Sequence, residues 1–183
     1  MPTPASTDVL TIVPYDPRWP AAFAAEAARM RAALGDLAVR VEHNGSTAVP
    51  GLAAKPIIDI QVSVAALAPM DSYRVPLQAI GYTHVPHADD ACCPFFHRPH
   101  DWPHTHHVHV VATGGAEERR TLAFRDYLRD HPETAREYAA LKRRLAPRFS
   151  AATLASRQAY AGAKTTFVER VVAEALRLGY PRS

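Results

Sequence analysis

The stretch Pro56–Val64, PIIDIQVSV, alternates without a break. Ile58, Ile60, Val62 and Val64 fall on one face of an extended chain, and Ile57, Asp59, Gln61 and Ser63 fall on the other. A period of two with β-branched residues is a strand signal and fits no helix. One face needs an apolar cover. The other presents a carboxylate and an amide side by side. His106–Val111, within HHVHVVA, alternates in the same way, with His107 and His109 on one face and His106, Val108 and Val110 on the other.

The segment before the first strand, EHNGSTAVPGLAAK, is rich in breakers. Val39–Glu42 reads as a short strand running into an Asn44-Gly45-Ser46 turn, with Pro50-Gly51 as a second break. Upstream, Asp16 is a candidate N-cap, and Phe23, Ala27, Met30 and Leu34 recur at helical spacing until Gly35. Residues 1–10 read as a loose tail. Met70–Tyr82, MDSYRVPLQAIGY, predicts a short helix interrupted or started late by Pro76 and closed by Gly81. Tyr82–Pro86 and Pro94–His97 predict strands around a loop holding His87, Asp89 and Asp90. After Gly114-Gly115 the pattern is helical: Ala116–Arg129, Pro132–Leu145 and one long run, Ala151–Leu178. The expected fold class is α/β (α+β): a mixed sheet with flanking helices, then a helical C-terminal half. The expected organisation is one domain over residues 1–183, with an α/β lobe over about 12–114 and a helical lobe over about 115–178.

The chain has 183 residues, 48% hydrophobic and 21% charged, enough for one sizeable core. No apolar run reaches membrane-spanning length, and the N-terminus lacks a basic region followed by an apolar one, so the expectation is a cytoplasmic protein without a membrane partner. Cys92 and Cys93 are adjacent and give no disulfide framework. A net charge of +3 suits a phosphate-bearing ligand. No basic stripe with interleaved aromatics occurs, which argues against direct nucleic-acid recognition.

A Gly-Ser turn exposes backbone N–H groups and a hydroxyl that can hold a phosphate. A carboxylate on the next strand can hold a divalent cation against that phosphate. By itself this is a weak signal, since Gly-Ser turns are common. The stretch EHNGSTAVPGLAAKPIIDIQV, however, closely resembles the signature of the GrpB family (UPF0157 type), which is similar to the nucleotidyltransferase fold. YDPRWPAAFAAEAARM, LAFRDYLRDHPETAREYAALKRRLA and YAGAKTTFVERV match the same family, so the resemblance runs from about Ile12 to Ala175. It implies a nucleotidyltransferase-like transferase cleft that takes a small molecule or nucleotide. Gly45 and Ser46 are the phosphate turn and Asp59 is the first metal acid. Relatives of the family occur fused to dephospho-CoA kinase, which suggests nucleotide or CoA-type ligands.

The superfamily pattern calls for a second acid where this chain has Gln61, and for a third on a later strand. The His106–Val111 strand offers His107 and His109 instead. With two of three carboxylates missing, an unmodified two-metal mechanism is not expected. Two readings stay open. One is a modified transferase, with Asp59, Gln61, His107 and His109 as a softer site for Mg²⁺, Mn²⁺ or Zn²⁺, or as a metal-free acid/base group. The other is a nucleotide- or CoA-type ligand-binding or accessory module without turnover. Beside both stands a pathway-specific enzyme that reuses the cleft for other chemistry, with the histidines as acid/base groups.

Six histidines lie between His97 and His109. His97, His100 and His104 fall in a Pro-rich stretch that reads as an exposed loop, either a lid or plain surface. Arg98 in that stretch is a candidate phosphate contact. His43 is a candidate base or an anchor of the turn, and Lys55 is placed by sequence to reach a phosphate. Arg125 reaches the cleft or forms structural ion pairs with Asp126 and Glu133. Lys164, spaced with Tyr160 and Phe167 on one helix face, is a candidate ligand-facing cation.

Overall fold

The computed structural model describes residues 9–182. Five strands form one mixed sheet: β1 (Arg40–Asn44), β2 (Ile58–Val64), β3 (Thr83–Val85), β4 (Phe95–Arg98) and β5 (His106–Ala112), in the order β1-β2-β5-β4-β3. Only β2 and β5 run parallel, with Asp59 beside His107 and Gln61 beside His109. β1 lies antiparallel to β2 and places Asn44 beside Asp59. β4 lies antiparallel to β5, with Phe95 beside His109 and His97 beside His107.

The alternation has its expected consequence. Ile58, Ile60, Val62 and Val64 point into a core with Val108, Val110 and Phe96. Helices α1 (Trp19–Leu34) and α2 (Asp71–Ala79) cover that face through Met30, Leu34, Tyr73 and Leu77. Helix α1 starts two residues beyond Pro17. Asp16 accepts from the backbone N–H of Arg18 at 2.9 Å and binds its guanidinium, which holds the entry to the helix. Pro76 stays inside α2, which continues past it.

The other face meets α3 (Ala116–Asp130). The Ser63 hydroxyl donates to Glu118, the Thr121 hydroxyl donates to Gln61, and Arg125 donates to Glu42 and to the His43 carbonyl. Helix α4 (Pro132–Leu145) packs on the segment after the Gly-Ser turn through Leu52, Ala53, Tyr138 and Ala139. The long C-terminal helix expected over Ala151–Leu178 is two helices, α5 (Leu154–Gly162) and α6 (Thr165–Arg177). They part at Ala163-Lys164, where the side-chain periodicity carries no mark of the break. The loose tail expected at residues 1–10 lies outside the described residues up to residue 8. Its last two residues are tied down: Val9 bridges Ser150, and Leu10 is buried against Leu145, Ala151 and Tyr160.

Candidate functional site

The site grows from the β1–β2 hairpin. After Asn44 the chain turns through Gly45 at φ +65°, a conformation L side chains rarely adopt. A Cβ there would run into the Asp59 carboxylate and stand 2.8 Å from the Cβ and Cγ of Asp59. Glycine is therefore required twice, by its dihedral and by the close approach. Ser46 opens a single 3₁₀ turn, Ser46–Ala48, and its side chain lies near the Tyr138 hydroxyl of α4. His43 bonds through Nε2 to the Thr47 hydroxyl at 3.0 Å and stacks on Phe23. Burial lowers its pKa to about 4, so it anchors the turn as a neutral ring.

His107 stands beside Asp59 as expected of neighbouring strands, with Nδ1 3.4 Å from Oδ1. Its Nε2 is 3.1 Å from Nδ1 of His104. A proton on His107 Nδ1 facing the carboxylate leaves Nε2 to accept from His104 Nδ1–H. His104 stacks on His97 at 3.8 Å, and His97 Nδ1–H donates to the Pro99 carbonyl. Two of the three histidines placed in an exposed loop are thus buried: His97 belongs to β4 and His104 packs beneath Trp102, while His100 alone is exposed. The surrounding prolines hid this. Burial holds His104 down at about 3 and His109 at about 4. Asp59 is held below its ordinary value. Burial would raise it, but His107, Lys55 and His109 outweigh that.

Gln61 is fully buried. Its Oε1 accepts from the Asn44 amide at 3.2 Å and from the Thr121 hydroxyl, while Nε2 has no partner. His109 Nδ1 faces the Cys93 sulfur at 3.5 Å, and burial pushes that thiol up to about 12. Asp59, Gln61, His107 and His109 therefore share a sheet face without forming a ligand shell. Among the described residues no three His, Cys, Asp or Glu side chains are arranged to hold a metal ion. One carboxylate with a committed amide oxygen does not fit a Mg²⁺ or Mn²⁺ centre, and the separated imidazoles do not fit a Zn²⁺ one.

The positive charge comes from lysines. Lys55 and Lys164 approach one ring, Tyr160, at 5.6 and 4.2 Å from its centroid. Lys142 lies 4.6 Å from the Tyr138 ring and donates to the Ala53 carbonyl. Burial lowers all three, Lys142 to about 7 and Lys164 to about 8, and Asp59 is the one acid that pulls them back up. Lys142 and Tyr138 are one helical turn apart on α4, a spacing that reads as ordinary amphipathic helix, and sequence reasoning missed both. A cavity of about 1060 Å³ opens beside Lys55, which alone of the three lysines lines it, together with Phe95, Trp102, His104, His107 and Arg157 among others.

Two expected phosphate contacts are elsewhere. Arg98 lies on the opposite sheet face, bound to Glu26 at 2.8 Å, because β4 alternates it away from His97. Arg125 is buried in ion pairs with Asp126 at 2.7 Å and Glu42 at 2.8 Å and clamps β1 to α3. Its partners are Asp126 and Glu42, and Glu133 takes no part.

The family model described as GrpB protein matches residues 9–174. A UPF0157 protein of Halalkalibacterium halodurans is 41% identical over 167 residues, covering 91% of this chain and 82% of that one. A UPF0157 protein of Pseudomonas aeruginosa is 41% identical over 175 residues, covering 94% and 70%. The crystal structure of GrpB from Enterococcus faecalis superposes with a TM-score of 0.79 at 34% identity, covering 91% of this chain and 98% of that one. The chain also matches 38% of the length of a Mycolicibacterium paratuberculosis dephospho-CoA kinase, at 34% identity. A Cid1 poly(U) polymerase is a looser likeness, with a TM-score of 0.47 at 12% identity, and says nothing of what this chain does.

Proposed function

This chain belongs to the GrpB family, and we propose that its cleft binds a phosphorylated small molecule of the nucleotide class and transfers a group from it. The supporting observation is the contact of Gly45 with Asp59: the turn that offers backbone N–H groups and the Ser46 hydroxyl lies directly against the Asp59 carboxylate. The turn and Lys55 hold phosphate oxygens. Asp59 takes the proton of the attacking hydroxyl or amine, and His107 Nδ1–H, itself held by His104, keeps the carboxylate in place. The cationic surroundings stabilise charge that develops on the phosphate.

Calorimetric titration with a panel of nucleotides and CoA-type compounds, with and without Mg²⁺, Mn²⁺ and Zn²⁺, tests the binding. Binding to the native chain and an altered affinity in Asp59→Ala are expected. No binding by any compound, or an affinity identical in Asp59→Ala, counts against the reading. A binding module without turnover is the second reading, favoured by the committed Oε1 of Gln61. Turnover that disappears in Asp59→Asn would remove it.

A further inference from the structure

We propose that the cleft holds an oligophosphate chain, a di- or triphosphate, on the ammonium groups of Lys55, Lys142 and Lys164, with no bridging metal. The inference rests on the phosphorylated-ligand reading and specifies how that ligand is gripped.

Three observations carry it. The first is an imbalance of charge. Lys55 and Lys164 share the Tyr160 ring, Lys142 is close enough to be repelled by both, and Asp59 is the one carboxylate that acts on all three. None of them forms an ion pair within 4 Å among the described residues, although Lys142 is only 2% exposed. Buried cations without counter-charge are costly, and a polyanion removes that cost. The second is an orphaned hydroxyl. Tyr160, 1% exposed and flanked by Lys55 and Lys164, has an OH with no hydrogen-bond partner. A phosphate oxygen between the two ammonium groups would satisfy it. The third is the reversal of polarity at position 61. A nucleotidyltransferase-type site would have a second carboxylate there to draw in a cation. Here Gln61 gives its acceptor to Asn44 and Thr121 and keeps a buried N–H₂ without a partner. Around Asp59 the chain thus offers donors and ammonium groups where a metal site needs acceptors.

Three lysines spread over two tyrosine rings suit several phosphates in a row better than one. Lys142 is connected to the Gly-Ser turn through Tyr138, whose ring it faces and whose hydroxyl lies near Ser46. Lys164 and Lys55 continue around Tyr160, and Lys55 lines the large cavity, where the rest of the ligand has room.

The experiment is calorimetric titration with orthophosphate, pyrophosphate and tripolyphosphate in EDTA, and with ATP in EDTA and in Mg²⁺. Tripolyphosphate is expected to bind in EDTA and to bind more tightly than pyrophosphate, with orthophosphate weakest. Affinity should fall by about tenfold in Lys164→Met and in Lys142→Met, since each removes a unit charge from a poorly solvated site. It should rise several-fold in Asp59→Asn, because the carboxylate repels the phosphates when no metal stands between them. Tripolyphosphate binding that requires Mg²⁺, that weakens in Asp59→Asn, or that ignores both lysine variants overturns the proposal. ATP that binds only with Mg²⁺ also overturns it, and leaves the nucleotide reading intact. Tripolyphosphate bound in EDTA while no nucleotide binds supports the lysine site and overturns the nucleotide reading alone. Lys164 is half-buried at a helix boundary, so its variant keeps the test usable if Lys142→Met fails to fold.

Discussion

The two faces of the sheet both carry charge, and they treat it differently. Beneath α1, Glu26 accepts from the Tyr82 hydroxyl at 2.9 Å, from Arg29 at 2.9 Å and from Arg98 at 2.8 Å. One buried carboxylate is surrounded by donors, and Arg98 Nε is the one buried donor left over. On the cleft face three ammonium groups share one acid, and an amide and a phenol are each left with an unpartnered donor. Polar groups closed among themselves hold a fold together. Polar groups left open together point outward, to something the chain alone does not supply.

Glu26→Ala breaks the closed side and should have the largest effect. It removes the shared acceptor of three donors and should destabilise the protein by about 3 kcal/mol, read from urea unfolding, with little change in tripolyphosphate affinity. Comparable losses of both stability and affinity would mean that the two faces are not separable. Gly45→Ala attacks the open side. It combines an unfavourable φ with the Asp59 clash, so unfolding should cost about 2 kcal/mol less and phosphate binding should vanish. Gln61→Glu places a second carboxylate on the strand face that carries Asp59. It should lose about 1.5 kcal/mol as a buried charge, and added Mn²⁺ should recover part of that loss. If Mn²⁺ has no effect, position 61 is not what separates this site from a metal centre.

Lys142→Met should have the smallest effect and the opposite sign, a gain of about 1 kcal/mol in the ligand-free protein. The sign follows from linkage. With a folded pKa near 7, below its unfolded value, Lys142 is charged in both states under pH 7 and the burial cost is then complete. Above pH 7 the folded chain releases the proton while the unfolded chain keeps it until near its ordinary value. The native protein therefore gains stability as pH rises through that window, by at most about 1.4 kcal/mol per pH unit. The advantage of Lys142→Met should accordingly shrink between pH 7 and 10. An advantage independent of pH would place the ammonium in a well-solvated position.

The strands and their faces were legible because alternation is a local property. PIIDIQVSV and HHVHVVA each showed which residues share a side, and the Gly-Ser turn was visible as a breaker. That Asp59 and His107 are neighbours depended on a parallel pairing between strands more than forty residues apart, which was an assumption until the register was known. Errors arose where tertiary burial overrode composition. The prolines around His97 and His104 suggested an exposed loop, yet β4 and Trp102 bury both rings. Arg98 looked like a phosphate contact because its neighbours in sequence face the cleft, but the pleat turns it to the other side. Lys142 and Tyr138 gave no signal at all. Their role depends on α4 lying against Ala53 and Ser46, and no spacing within the helix encodes that contact.

The break between α5 and α6 gives the cleft a divided origin. The turn, Asp59 and His107 are set by strand pairing, whereas Tyr160 and Lys164 arrive on the last helix of the wall and at its junction with the next. The hairpin that carries the acid does not depend on that junction for its strand pairing, although Tyr160 is itself part of a core with Leu10, Leu145 and Ala151. The natural unit for altering what this protein accepts is that wall, with the strand platform kept as a constant chassis.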